Sequence, residues 1–502
     1  MSAKIRKAYD FLAMVNSEAY KQLYLLSNQV LSKNPYMNDF FKKYIQGKDV
    51  ADPCVFLILY KLLRYYASSF KNFILYLFGF IKYYFFGSRF DYKTGRNELT
   101  LIDSFFNIEK IKRDNSFKDV FFADLTDLLK RLEKDFAYLP SFYDSKIGTD
   151  MADIFKIIKK QHLPVVCEYQ LLDGIDLLRV FCFIIIYPFS VLRLAYRKTR
   201  ISFESRILKS ELIATLDQVT FNSFARYLLG KKIAGLPYKK MKIISWYENQ
   251  VVHKNLYKGL RAKDRKVWIC GAQLLIYSYN EVYIPADDRE SVFDVLPDKI
   301  LVNGPRFLPK NSRLNYSVGP SLRYCKLLAG EIGKTTRECI LIALPYLPKE
   351  EVDNFCAIIN NAIGQLEEKV LIKVHPALNI NAYQKLSSLA AHMTSEDIYE
   401  LFKVAKIVIG SAGGILVEAV SSGIPAIYLK NNTGIDFNPL PDYGKGIIWD
   451  EASSAEELKG CIQKLEMALV HHTDDINVLA YRCREEFFSQ CDEESIRKAF
   501  EL

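Results

Sequence analysis

The chain has 502 residues, half of them apolar and a quarter charged, and carries a formal net charge of +10. This length exceeds what one hydrophobic core serves, so two or three domains are expected, and the composition excludes an intrinsically disordered chain. The ten cysteines and six histidines are dispersed without the spacing of metal ligands, which argues against a structural zinc site. Since the first residues lack the pattern of a signal peptide, we expect reduced thiols and a cytoplasmic location.

Two apolar and basic windows dominate the first half of the chain. Residues 51–100 and residues 171–210 each hold seven Lys and Arg against three Asp and Glu. We predict helices at about 54–88 and 175–200 that lie in the interface of an anionic membrane, because they combine aliphatic runs with basic residues. The alternative is a pair of core helices whose basic side chains reach the surface. No nucleic-acid-binding motif accompanies them, so nucleic acid is not expected as a partner.

Neither window is predicted to span a membrane. A spanning helix needs about 20 apolar residues with few charges. Lys71 and Lys82 enclose ten uncharged residues, and Arg179 and Arg193 enclose thirteen that include Pro188. Both stretches are therefore short for a membrane crossing.

From about residue 241 the chain alternates short strands with helices. Strands are predicted at 242–247, 266–271, within 297–304, and at 339–345, 370–374, 406–410 and 426–429, with helices at 248–261, 350–366, 396–404, 414–422 and 455–469. This alternation indicates an α/β fold of two Rossmann-like, doubly wound parallel-sheet domains facing a cleft. We place the first domain at 1–310, a linker at 305–320, the second domain at 321–485, and a terminal helix at 486–502 that packs back on the first domain.

The second of these domains carries a phosphate-binding pattern. His375 and Pro376 follow one predicted strand, and Ser411, Gly413 and Gly414 follow another, so both loops are expected at one edge of the sheet. The glycines let the backbone approach a phosphate, and the next helix offers unpaired N–H groups. Ser411 and His375 could donate hydrogen bonds, and Pro376 would stiffen its loop. Glu418, one turn into the helix, could accept the hydroxyls of a ribose. A tight turn that caps a helix is the plain alternative for the Gly-rich loop alone.

These motifs resemble the donor domain of GT-B glycosyltransferases, and the His-Pro loop with the Ser/Gly turn is similar to the nucleotide site of the CMP-sugar users, the sialyl- and Kdo-transferases. The resemblance implies that His375, Ser411, Gly413 and Gly414 hold the nucleotide phosphate and that Glu418 holds the ribose. The first half resembles surface-carbohydrate biosynthesis proteins. Its matching segments are 27–35, 100–105, 247–250, 297–304 and 318–323.

A glycosyl transfer needs a base for the acceptor hydroxyl and positive charge for the leaving phosphate. Asp103 and Glu248 each follow strand-like runs in the first half and are the two candidate bases. Arg323 is the candidate for phosphate neutralisation. No Asp-x-Asp motif is present, so we expect a metal-independent GT-B mechanism without a cofactor other than the nucleotide-sugar.

The sequence thus predicts a peripheral inner-membrane glycosyltransferase of bacterial surface polysaccharide biosynthesis, such as O-antigen or capsule. The donor would be a CMP-linked ulosonic acid ahead of a UDP-sugar, and the acceptor a lipid-linked glycan of the lipopolysaccharide type. Alternatives on the same fold are a UDP-sugar epimerase, an alditol-phosphate transferase, or a non-catalytic scaffold of a polysaccharide assembly complex.

Overall fold

The computed structural model describes residues 3–26, 39–48, 51–92, 97–143, 147–197, 202–217, 220–263, 267–363, 369–375, 392–432 and 435–502. The predicted segment 27–35 and Pro376 lie outside these ranges. The strands within them are β1 (Glu98–Asn107), β2 (Phe136–Tyr143), β3 (Lys240–Trp246), β4 (Trp268–Gln273), β5 (Lys299–Val302), β6 (Tyr316–Val318), β7 (Cys339–Ala343), β8 (Val370–Lys373), β9 (Met393–Thr394), β10 (Ala405–Gly410), β11 (Ala426–Leu429) and β12 (Trp449–Ala452).

The helices surround these strands. Within the described ranges they are α1 (Ala3–Tyr20), α2 (Leu23–Leu26), α3 (Asp39–Gln46), α4 (Val55–Phe86), α5 (Ile108–Asp114), α6 (Ala123–Arg131), α7 (Ile147–Lys160), α8 (Glu168–Leu171), α9 (Gly174–Arg197), α10 (Phe203–Ala214), α11 (Phe221–Ile233), α12 (Val251–Leu260), α13 (Cys325–Ala329), α14 (Lys349–Ile363), α15 (Ile398–Phe402), α16 (Ile415–Ser421), α17 (Ala455–His471), α18 (Thr473–Phe487) and α19 (Glu493–Phe500).

The strands form two parallel six-stranded sheets. The order of the first is β2-β1-β3-β4-β5-β6, and that of the second is β12-β11-β10-β7-β8-β9. Helices connect many of the consecutive strands, as is usual for parallel pairing, whereas the connections β4–β5, β5–β6 and β11–β12 contain no α-helix among the described residues. The predicted α/β class with two Rossmann-like, doubly wound parallel sheets is confirmed.

The expected boundary near residue 310 needs a correction. The segment 305–320, predicted as a linker because it is rich in Pro, Asn, Ser and Gly, contains β6, which pairs with β5 at the edge of the first sheet. A three-residue edge strand has little hydrophobic pattern, and its composition therefore resembles that of a loop. The first sheet extends to Val318.

Apolar side chains alternate between the two faces of the second sheet. Ile340, Ile342, Ile407 and Ile409 pack in one core, and Leu341 and Val408 between them pack in the core on the opposite face. This period of two is expected for strands buried on both sides by helices. The first sheet has its own larger core, which α19 joins, whereas α18 packs in the core of the second sheet.

The two basic windows form the long helices α4 and α9, which pack antiparallel against each other. Tyr65 stacks on Tyr187 with ring centroids 5.7 Å apart, and Phe70 contacts Phe181 at 5.8 Å. Among the described residues, α9 is the one helix long and apolar enough to cross a membrane, and 39% of its most apolar window is buried inside the protein. Core helices of soluble proteins have the same length and composition.

A disulfide joins Cys325, at the start of α13, to Cys491, between α18 and α19, with Cα atoms 5.8 Å apart. Eight other cysteines are free. The expectation that the thiols are all reduced is therefore wrong for this pair. Sequence spacing gave no sign of it, because the two cysteines are 166 residues apart.

Candidate functional site

The second sheet reverses its strand order between β7 and β10. In doubly wound sheets, ligands bind at the carboxyl ends of the strands beside such a reversal. Tyr346 follows β7, and the loop from Ser411 to Gly414 follows β10. His375 follows β8, the neighbour of β7. The fold therefore places the predicted nucleotide-binding residues at one edge of one sheet.

The Gly-rich loop is held by an internal hydrogen bond. Ser411 is buried and its Oγ donates to the carbonyl oxygen of Leu429 at 2.8 Å. The hydroxyl therefore anchors the loop to β11, and a phosphate-binding role for Ser411 stays a prediction. Gly413 has a φ of +120°, a conformation that favours glycine. A Cβ at Gly414 would lie 3.1 Å from Ile276, a residue of the first half that follows β4, so the two halves meet at this loop.

Glu418 lies in α16 and is buried. Its Oε2 accepts a hydrogen bond from the hydroxyl of Tyr399 at 2.8 Å. Burial raises the pKa of the Glu418 carboxyl, and the positive charge of Arg323 and the Tyr399 hydrogen bond oppose that rise. Within the described part of the chain, Tyr399 is its one side-chain hydrogen-bond partner, so Oε1 remains for a ligand.

His375 is half-buried and stacks on the ring of Tyr346, with centroids 5.3 Å apart and planes 27° apart. Burial, and next the positive charge of Arg323, lower the pKa of His375 to about 4. The imidazole is therefore neutral at pH 7, and it can donate one N–H to a phosphate but adds no positive charge. Pro376 follows it outside the described residues.

Arg323 connects the two halves electrostatically. Its side chain keeps an exposed surface while protein surrounds it on most sides, as expected for a residue that lines a cleft. The guanidinium lies over the ring of Phe121, 5.9 Å from the centroid. Tyr324 raises the pKa of Arg323 most, burial lowers it, and Glu418 raises it further. Glu248 of the first half acts in the same direction.

Glu248 occupies the corresponding edge of the first sheet. That sheet reverses its order between β1 and β3, and Glu248 lies directly beyond β3. Its Oε1 accepts from the indole N–H of Trp246 at 2.9 Å, and its Oε2 from Gln250 Nε2 at 2.6 Å. Phe121, which contacts Arg323, stacks on Trp246 at 4.1 Å. The predicted base and the predicted phosphate cation therefore share one supporting cluster.

Asp103 is placed differently from the sequence expectation. It lies within β1 instead of after it, and it is buried. Its Oδ1 pairs with Arg226 Nη2 at 2.5 Å and its Oδ2 accepts from Ser245 Oγ at 2.9 Å. Both carboxylate oxygens thus have partners inside the first core. A catalytic role for Asp103 stays a prediction, and this geometry favours a structural one.

Sequence reasoning missed three side chains of this cleft. Tyr346 had a usable signal, because it directly follows the predicted strand at 339–345. Tyr399 had none, and neither had Glu281, which lies between β4 and β5 within electrostatic reach of Glu248, since each is in a segment without a motif and is positioned by tertiary packing alone.

No protein family model matches the chain, and no curated protein matches it. Solved structures share its general architecture. MurG from Acinetobacter baumannii is 13% identical over 81% of this chain and 100% of that chain, with a TM-score of 0.39. A UDP-GlcNAc 2-epimerase from Methanocaldococcus jannaschii, in complex with UDP-GlcNAc and UDP, is 11% identical over 73% and 92%, with a TM-score of 0.39. An α,α-trehalose 6-phosphate synthase from Burkholderia multivorans is 12% identical over 81% and 95%, with a TM-score of 0.41. Sequence identities and TM-scores this low do not indicate what this chain binds.

Proposed function

We propose that this protein is a metal-independent glycosyltransferase that moves a sugar from a nucleotide donor to a surface-glycan acceptor. The observation that carries the proposal is the position of Arg323. It lies within electrostatic reach of Glu418 and His375 on the second-sheet side and of Glu248 on the first-sheet side. Transfer from a sugar nucleotide places negative charge on a leaving phosphate, and a cation between the donor side and the acceptor side stabilises that charge.

The donor nucleotide would occupy the edge of the second sheet. Glu418, engaged by Tyr399 through one oxygen, would accept the ribose hydroxyls through the other. The phosphate would lie between Arg323 and the backbone at Gly413 and Gly414, with a hydrogen bond from neutral His375. Binding roles for Ser411 and Pro376 remain predictions, with Ser411 acting through the shape of the loop.

We favour a CMP-linked ulosonic acid as donor over a UDP-sugar. Support comes from the His375-Pro376 loop followed by the Ser/Gly turn, which resembles the nucleotide site of sialyl- and Kdo-transferases. The absence of an Asp-x-Asp motif in the sequence supports a reaction without a metal, in which Arg323 takes the place of the cation.

We propose that the acceptor is a lipid-linked glycan and that the protein works in the cytoplasm as a peripheral protein of the inner membrane. Support comes from α4, which contains no acidic residue and exposes a long apolar face together with Arg64 and Lys71. The neighbouring α9 adds exposed apolar side chains and the exposed Arg193 and Arg197. An apolar face bordered by cations is complementary to an anionic bilayer surface.

The test is a thermal-shift titration with CMP, CDP, UDP and GDP, since a ligand that binds the folded state raises Tm in proportion to the logarithm of its concentration over Kd. We expect the largest shift with CMP and a loss of that shift in Glu418→Ala. Glu485→Ala, which removes an exposed carboxylate from α18, is the matched control and should keep it. If none of the four nucleotides raises Tm, the donor-site proposal is wrong.

The alternative reactions give different outcomes. A UDP-sugar epimerase would convert UDP-GlcNAc without any acceptor, which NMR of the sugar nucleotide would detect. Polymer synthesis that persists in Glu418→Ala would instead favour a scaffold. An alditol-phosphate transferase would release CMP from a CDP-alditol, and none of these results is expected for a sugar transferase.

A further inference from the structure

The loop between β4 and β5 carries Glu281, a second carboxylate beside Glu248. It is fastened to the loop that follows β3, because Asn249 Nδ2 donates to the carbonyl oxygens of Tyr283 at 2.9 Å and Pro285 at 3.2 Å. Asn249 is buried and adopts a φ of +54°. Gln273, the last residue of β4, also donates to this loop, at the carbonyl of Ile284. These hydrogen bonds join the two loops, with Glu248 on one and Glu281 on the other.

The residues on either side of Glu281 contact the second half of the chain. Asn280 Nδ2 donates to the carbonyl oxygen of Asp436 at 2.5 Å. Val282 packs in a small core with Ile435 and Phe437, in the loop that follows β11. Glu281 therefore stands at the junction where the carboxyl edges of both sheets meet, which is where a donor and an acceptor would come together.

The side chain of Glu281 is oriented and half-buried. Its Oε2 accepts from the backbone N–H of Ser278 at 2.7 Å, and its Oε1 from the hydroxyl of Tyr283 at 3.2 Å. Burial raises the pKa of Glu281 to about 7, hydrogen bonds from Ser278 and Tyr283 oppose the rise, and the negative charge of Glu248 adds to it. A carboxyl with a pKa near the working pH can both accept and release a proton.

We propose that Glu281 is the general base of the transfer, an assignment that rests on the proposed function. The carboxylate of Glu281 takes the proton of the acceptor hydroxyl. The hydroxyl oxygen forms the new bond to the anomeric carbon, and the bond from that carbon to the phosphate oxygen breaks. The nucleotide leaves with the electron pair, and Arg323 faces its charge.

Glu248 is assigned a supporting role in this scheme. It lies within electrostatic reach of both Arg323 and Glu281, and its carboxylate is held by Trp246 and Gln250 beside Phe121, on which Arg323 packs. Glu281 instead lies between Asn280 and Val282, the residues that contact the second half. Two neighbouring carboxylates whose surroundings differ can divide acid–base work between them. Here Glu248 keeps Arg323 in place and raises the pKa of Glu281.

The test compares Glu281→Gln with Glu248→Gln and with the exposed control Glu485→Gln. Turnover is followed as CMP release from CMP-N-acetylneuraminic acid and UDP release from UDP-GlcNAc with a glycan acceptor, and nucleotide binding by thermal shift. We expect Glu281→Gln to lower kcat by about 100-fold or more with nucleotide binding retained. In Glu248→Gln the acid limb of the kcat profile should move to lower pH, because a negative neighbour of Glu281 is removed.

A second readout needs no substrate. The folded-state pKa of Glu281 lies above the ordinary value of 4.5, so its contribution to stability is present at low pH and is lost as pH rises through about 7. Glutamine does not titrate. The Tm of Glu281→Gln minus that of wild type should therefore increase between pH 5 and pH 8.

Each result bears on the assignment. A Tm difference between Glu281→Gln and wild type that does not change with pH would overturn it. Near-normal turnover in Glu281→Gln with severe loss in Glu248→Gln would also overturn it and make Glu248 the base. Nucleotide binding with turnover of neither donor in wild type would overturn the assignment while leaving the nucleotide site intact. No nucleotide binding in wild type would overturn the proposed function itself.

Discussion

At the residue scale, Asp103 distinguishes a structural carboxylate from a catalytic one. It forms a buried ion pair with Arg226 and accepts from Ser245. Removing one partner of such a pair costs about 3–5 kcal/mol, because the other charge stays buried without compensation. Asp103→Asn should therefore lower the free energy of unfolding in urea by that order and leave the nucleotide-induced Tm shift unchanged.

Ser245→Ala is the graded control, since it removes one hydrogen bond to the same carboxylate and should cost about 1–3 kcal/mol. If Asp103→Asn were as stable as wild type but inactive, the sequence-based prediction of a catalytic Asp103 would be right.

His375 gives a prediction about acid pH. Its pKa in the folded protein, about 4, lies below the ordinary 6.5, so its neutral form contributes stability above pH 6.5 that is lost as pH falls through about 4. His375→Gln should therefore lose less Tm than wild type between pH 7 and pH 4. His472→Gln changes an exposed histidine on the surface and should follow wild type. An identical acid-side slope in all three proteins would show that His375 titrates normally.

At the scale of elements, the exposed face of α4 can be tested directly. Phe56 and Leu63 are 84% and 72% exposed. Replacing both by Glu should abolish co-sedimentation with phosphatidylglycerol vesicles, because it removes apolar contact and adds charge of the same sign as the lipid. Val478→Glu, on the equally exposed surface of α18, is the control and should sediment as wild type does. Wild-type protein that stays in the supernatant at low salt would contradict the membrane proposal.

The sequence predicts the central strands except β1, of which it shows only a strand-like run before Asp103, and misses those at the edges. β3, β7, β10 and β11 are buried apolar runs between helices, so their pattern is visible. β2 contains Pro140, β12 contains Asp450 and Glu451, and β6 and β9 are very short. All four lie at sheet edges, where one side needs no partner and polar residues or Pro are tolerated. Edge strands are fixed by pairing, which a single sequence does not display.

The same reasoning applies to the site. His375 and Glu418 follow from motifs attached to central strands, so the sequence locates them. The relation of Arg323 to Glu248 and Glu418, and that of Glu248 to Glu281, depend on how the two halves pack, and no local pattern encodes them. The donor side was therefore predictable, and the residues of the opposing half required the fold.

At the scale of the whole molecule, the chain passes between the two halves twice, and the disulfide joins these two connecting segments. Cys325 lies where the chain enters the second half, and Cys491 lies where it returns from α18, in the second core, to α19, in the first. The bond closes a loop of 166 residues, which in a chain-entropy model is worth about 5 kcal/mol of stability relative to the reduced protein.

Reduction should therefore lower Tm and loosen the relation between the two sheets. We expect dithiothreitol to lower the Tm of wild type. Cys325→Ser should have a lower Tm than wild type even without reductant. Cys483→Ser, which changes a buried free cysteine, should still lose Tm when reductant is added. Thiol counting in denaturant should give eight free thiols before reduction and ten after it. A wild-type Tm that ignores reductant, together with ten thiols from the start, would show that the pair is open in solution. In a reducing cytoplasm that open form would be the working state, and the docking of α19 on the first core would then hold the two halves together without a covalent bond.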